Sequence, residues 1–127
     1  MANIVVVDDD ALFLEYLRAV LETADYSVRA NRDARGALDM VRRTNMRVDL
    51  WIVDIKMPQM NGYQFAETLR KPPLSSSTPI LLLSAWVEGM PSQELQGVTY
   101  LDKKGCREPA FLDLVRKLVD ERPNAGA

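Results

Sequence analysis

The chain has 127 residues, 47% of them hydrophobic and 27% charged, which suits one compact domain and leaves no room for a second core. A formal net charge of -2, a pI near 5.1 and the lack of a Lys/Arg run exclude a general attraction to nucleic acid or to an anionic membrane surface. The absence of histidine removes Ser-His-Asp and Cys-His nucleophile activation, the usual zinc sites and any phosphohistidine of the chain's own. Chemistry here must rest on carboxylates. The single Cys106 cannot form an intramolecular disulfide, and "MANIVVVDDD" lacks the basic flank and long apolar core of a signal peptide, so the protein is read as cytoplasmic.

Short apolar runs alternate with stretches of helical period, the pattern of βα units around a parallel sheet. "NIVVVD" (residues 3–8) reads as a first buried strand. In the helix that follows, Leu14, Leu17, Leu21 and Ala24 share one face, widened by Phe13 and Val20. "YSVRA" (26–30) is a weaker second strand, and Asp33 can N-cap a helix running to about Thr44 with the stripe Ala34, Ala37, Leu38 and Val41. "DLWIVD" (49–54) is the third strand. "NGYQFAETLRK" opens a third helix that must stop at "PPLSSSTP", where two prolines cannot continue it. "PILLLSA" and "VTYLD" are the fourth and fifth strands. The last helix starts near Pro109 and buries Phe111, Leu112, Val115, Leu118 and Val119. "RPNAGA" reads as a frayed tail, so the domain is taken as 1–122 with 123–127 flexible.

Five strands alternating with helices predict a doubly wound sheet, which binds ligands outside the carboxyl ends of its strands. Asp8, Asp9 and Asp10 leave the first strand, Asp54 ends the third, Ser84 ends the fourth and Lys103 follows the fifth. All of them should gather at one edge. A buried run that ends on a carboxylate needs a reason for the charge. Here Asp54 is expected to be exposed and metal-paired. Carboxylates ~4 Å apart repel by about 1 kcal/mol per pair in water and by several times that near a protein interior, and a hard cation such as Mg²⁺ resolves the repulsion.

The ordered pieces "VVVDDD", "VDIKMPQMNG", "LLLSA" and "YLDK" resemble a receiver domain of a two-component response regulator, of the single-domain chemotaxis-regulator kind, from about Asn3 to Leu118. The resemblance implies a flavodoxin-like five-stranded parallel sheet of order 2-1-3-4-5 flanked by helices. It also implies Mg²⁺ held by Asp9 and Asp54, with Asp8 acting through water or by holding Lys103, and the backbone carbonyl of Lys56 completing the set; Asp10 is expected outside it. Asp54 would accept a phosphoryl group from a phosphohistidine on a sensor kinase or a phosphotransfer protein. Lys103 and Ser84 would bind its oxygens, and Ser84 and Tyr100 would move in a switch of a protein-interaction surface read by an output protein or a second copy of the chain.

The chain departs from that pattern at Lys104, where many receivers have Pro after the lysine. The segment between Ser84 and Lys103 is also short and contains Gly89, Pro91 and Gly97, so its helix is expected to be short, irregular or missing. That segment motivates the alternative of a pseudo-receiver, a constitutive interaction or dimerisation module that never takes phosphate. A haloacid-dehalogenase-type phosphatase is disfavoured because Lys56 stands where a second Asp would supply acid/base chemistry. An FMN site is disfavoured because "DDDAL" would repel the phosphate. No separate catalytic turnover is expected. Trp51 and Trp86 are read as core or surface-edge aromatics, Met57 and Met60 as loop packing, and Cys106 as neutral.

Overall fold

β1 (Asn3–Val7), β2 (Ser27–Asn31), β3 (Leu50–Asp54), β4 (Ile80–Ser84) and β5 (Val98–Asp102) form one parallel sheet of order β2-β1-β3-β4-β5. The structure, a computed structural model, describes residues 1–85 and 96–122. Strand residues alternate between two cores, as a period of two requires when both faces are covered. Ile4, Val6, Leu50, Ile52, Leu81 and Leu83 face α1 (Ala11–Thr23) and α4 (Ala110–Asp120). Val5, Val7, Trp51, Val53, Ile80 and Leu82 face α2 (Ala34–Thr44) and α3 (Gly62–Arg70). This is the flavodoxin-like doubly wound arrangement expected from the sequence.

Local chemistry fixes where the helices begin. Asp10 caps α1 by accepting from the Leu12 and Phe13 amides, and Asp33 caps α2 by accepting from Gly36. Asn61 and Gln64 form a reciprocal capping box at α3. The buried stripes are Phe13, Leu14, Leu17 and Leu21 on α1, and Phe111, Val115, Leu118 and Val119 on α4. Leu112, expected among them, is half-buried, and Ala24 is the C-cap of α1. β2 lies one residue later than the sequence pattern placed it.

Other differences have physical causes. β3 begins after Asp49, which is 5% exposed, accepts from the Asn3 amide at 2.8 Å and Arg47 at 3.0 Å, and forms an ion pair with Arg122 at 3.1 Å. Arg122, read as the first residue of a loose tail, is thereby tied to the body of the domain. A 3-10 helix, Lys103–Arg107, follows β5 and is capped by the Asp102 carboxylate. Cys106 is buried within it, and burial pushes the thiol up to about 12. The Lys103–Lys104 peptide is trans; among the described residues the Pro72–Pro73 bond is cis. Trp51 is a core residue, edge-on to Phe65 with centroids 5.1 Å apart. The expected irregular helix before β5, with Trp86, Gly89 and Pro91, and the 123–127 tail lie outside the described residues.

Candidate functional site at the carboxyl edge of the sheet

β1, β3, β4 and β5 end on the same edge and deliver their next residues to one cleft of about 910 Å³. Asp9, Asp54, Lys56, Ser84 and Lys103 all line it, as the strand order requires. Asp8 sits just behind, 1% exposed, with Oδ1 accepting from the Asp10 amide at 2.9 Å and Oδ2 2.8 Å from Lys103 Nζ. The Asp8 Oδ2 contact lies outside good hydrogen-bond geometry, so the pairing is one of charge. Asp8 therefore holds Lys103, one of the two roles open to it from the sequence.

Asp54 is the last residue of β3 and is 5% exposed, which corrects the expectation of a solvent-facing carboxylate. Its compensation comes from Lys103 Nζ, 3.6 Å from Oδ1. Desolvation, and then the charge of Asp8, push Asp54 up to about 6 against the pull of Lys103. Desolvation also raises Asp8, opposed chiefly by Lys103. Burial alone would lower the Lys103 ammonium, but Asp8 and then Asp54 outweigh it and the net shift is upward. One ammonium thus serves two buried carboxylates, with a third beside them.

One oxygen from each of Asp8, Asp9 and Asp54 lies within 4.8 Å of the others. All-oxygen donors, carrying more negative charge than their resident cation offsets, fit Mg²⁺. Asp10 is outside this cluster, as expected. It still borders the cleft, and its amide orients Asp8.

Pro58, Asn61 and Gly62 lie where the chain turns from β3 into α3. The chain doubles back so tightly that Gly62 N–H donates to Ile55 C=O at 2.8 Å. Asn61 then starts α3, and Gln59 takes a left-handed φ of 71°. Tyr100, on β5, is partly buried with its ring 6.3 Å from that of Tyr63 on α3. Its place on a strand leading to the cleft agrees with the sequence reading.

Phe13 was missed as a site residue. Its ring carries Lys103 Nζ at 4.7 Å from the centroid, whereas the sequence pattern marked it only as widening an apolar face. A bulky aromatic one turn after an acidic strand end was the available signal.

Residues 4–106 match the response regulator receiver domain family. Among curated proteins the chain is 32% identical over 98 residues to the two-component response regulator ARR12 of Arabidopsis thaliana, covering 77% of this chain and 16% of that protein. It is 33% identical over 98 residues to ORR23 of Oryza sativa subsp. japonica, covering 77% and 14%. It thus spans about a sixth of the length of these relatives. Among solved structures, chemotaxis protein CheY4 of Vibrio cholerae superposes with a TM-score of 0.80 at 28% identity, covering 93% of this chain and 98% of that one. Response regulator TrrA of Thermotoga maritima, solved with Mg(2+)-BeF, superposes with a TM-score of 0.76 at 28% identity, covering 93% and 99%. Sheet order, edge chemistry and these likenesses agree that the chain belongs to the response regulator receiver domain family.

Proposed function

We propose that this receiver takes a phosphoryl group on Asp54 from a phosphohistidine of a sensor histidine kinase or phosphotransfer protein, and that the modified site switches a surface read by an output protein. The observation that carries the reading is Asp54 itself, a buried carboxylate at the mouth of a cleft, flanked by two other carboxylates and 3.6 Å from an ammonium. The Thermotoga relative's complex with Mg(2+)-BeF supports it, since that protein's site accepts the metal together with a compact fluoride species.

Asp9 and Asp54, with the Lys56 carbonyl, would hold Mg²⁺, and Asp8 would assist through water. When bound, the metal neutralises charge on the equatorial phosphoryl oxygens. An Asp54 oxygen attacks phosphorus in line with the partner's imidazole nitrogen; the O–P bond forms as the N–P bond breaks, and the partner's histidine keeps the electron pair. Lys103 offers its ammonium to one phosphoryl oxygen and the Ser84 hydroxyl donates to another. Asp8 keeps Lys103 aimed into the cleft. The added charge draws on Ser84 and Lys103, and Tyr100 beside Tyr63 lies where a shift of β5 would be felt.

The chemistry is stoichiometric and confined to the chain's own side chain, so it is not an enzyme acting on a separate substrate. Among the described residues no helix is long and apolar enough to cross a membrane. The deciding experiment is intact mass after acetyl phosphate and MgCl₂, in wild type and Asp54→Asn. A gain of one phosphoryl group in wild type alone upholds the reading. No gain in wild type, with Mg²⁺ bound, transfers the protein to the pseudo-receiver class, a constitutive interaction or dimerisation module.

A further inference from the structure

α1 places two aromatic rings, Phe13 and Tyr16, one turn apart and stacked at 6.3 Å with planes 28° apart. Each faces a cation from the 3-10 helix that follows β5. Lys103 Nζ stands 4.7 Å from the Phe13 centroid, and Arg107 Cζ stands 4.8 Å from that of Tyr16. Both distances are within the roughly 6 Å over which a ring quadrupole attracts a cation. The Tyr16 hydroxyl also donates to the Cys106 carbonyl at 3.4 Å, closing the same contact through the backbone.

We propose that Phe13 and Tyr16 form an aromatic platform that positions Lys103, Phe13 by holding the ammonium and Tyr16 by docking the turn that carries it. The idea rests on the reading of Asp54 as phosphoacceptor and extends it to α1. Asp8 and Asp54 draw the ammonium from one side, at 2.8 and 3.6 Å, while the Phe13 face bounds it on another. A lysine stem has four rotatable bonds, and attraction to two carboxylates does not by itself choose among its rotamers. The ring does so at a place where the Lys103 side chain is only 22% exposed and the attraction is little screened.

Ordinary core packing is the competing account of Phe13, which is 8% exposed and part of the α1/α4 core. Packing would be met by any apolar side chain of similar size; the platform needs the π face. In the full-length chain, Phe13→Leu, Phe13→Tyr and Tyr16→Leu are compared by two readouts. One is the rate of phosphorylation by acetyl phosphate at saturating MgCl₂. The other, taken without phosphodonor, is the NMR shift of the Lys103 ε-methylene protons, which a ring face moves upfield.

The expected result for Phe13→Leu is a rate about 3- to 10-fold lower and Lys103 resonances returned to ordinary lysine positions, with Phe13→Tyr restoring both. Tyr16→Leu should lower the rate less and shift Lys103 partway. Unmoved Lys103 resonances and a rate within about twofold of wild type in Phe13→Leu would overturn the platform. If wild type takes no phosphoryl group, the phosphoacceptor reading fails while the Lys103 shift still decides the platform. Should Phe13→Leu not fold, trifluorophenylalanine at position 13 keeps the shape and weakens the quadrupole; an unchanged rate in that variant overturns the proposal.

Discussion

A Cβ placed on Gly62 would lie 2.7 Å from the Asp54 carbonyl oxygen and 2.8 Å from Ile55 Cα. The contact is backbone against backbone, so no rotamer change relieves it, and the end of β3 would have to move with Asp54 on it. Gly62→Ala should therefore lose about 1–3 kcal/mol of stability, the usual cost of overpacking, despite the better helix propensity of alanine. Gly36 in α2 is the control, because its Cβ would meet only the Asp33 side chain, at 3.1 Å. Urea denaturation of the two alanine variants should show a clear drop for Gly62 and a change within about 0.5 kcal/mol for Gly36. Equal changes would remove the close approach as the reason for glycine after Asn61.

Asp54→Asn should stabilise the metal-free protein at neutral pH. The carboxyl, ordinarily near 3.8, is raised in the fold to about 6, burial being the first cause and Asp8 the second. Below about pH 4 it is neutral in folded and unfolded chains alike. Between about 4 and 6 the unfolded chain gives up the proton while the folded chain keeps it, so Asp54 lowers stability as pH rises through that window and the loss levels off above it. The advantage of Asn should be small at pH 4 and reach about 1–3 kcal/mol at pH 7.5 in EDTA. Denaturation midpoints at the two pH values measure it, and an advantage that shrinks toward neutral pH would contradict the sign.

At the opposite edge of the sheet, Asp49 joins the start of the chain, the approach to β3 and the end of α4 through Asn3, Arg47 and Arg122. Asp49→Ala strips a buried carboxylate from two guanidiniums and one amide and should cost about 2–4 kcal/mol. Arg122→Ala leaves Arg47 in place and removes a side chain that is 35% exposed, so about 0.5–1 kcal/mol is expected. Hydrogen exchange should report the difference locally, with the last turn of α4 losing protection in Arg122→Ala. Unchanged protection there would mean that the clip does not hold α4.

Short apolar runs and helical stripes made the strands and both cores readable, because parallel strands buried on two faces are nearly all apolar, while the order of the strands came from the family resemblance. The cluster was readable for a related reason: Asp8, Asp54 and Lys103 each follow or end an apolar run, and the topology alone carries them to one edge. Burial of Asp54 was not readable, since it depends on how closely the Asn61–Gly62 turn folds back on Ile55. Phe13 and Asp49 escaped for a different reason. Each has a partner about 90 or 70 residues away, Lys103 and Arg122, and no local period encodes such a pair.

Mg²⁺ should raise the thermal midpoint at pH 7.5, because a bound cation offsets the burial, and with it the mutual repulsion, that raises Asp54 and Asp8. At a concentration 100 times its dissociation constant, a ligand that binds only the folded state adds about 2.7 kcal/mol. The gain should shrink as pH falls through about 6, where the proton competes for Asp54. Asp9→Asn removes a donor from the three-carboxylate cluster and should weaken the Mg²⁺ effect about tenfold in concentration, as loss of a metal-site group typically does. Lys56→Ala should leave it nearly intact, since the group proposed to bind at that position is the backbone carbonyl and the Lys56 side chain is exposed. Melting curves in MgCl₂ and in EDTA across these variants provide the measurement. A midpoint indifferent to Mg²⁺ at pH 7.5, or a gain that survives Asp9→Asn unchanged, would remove the metal from this cluster and leave Lys103 as its sole counter-charge among the described residues.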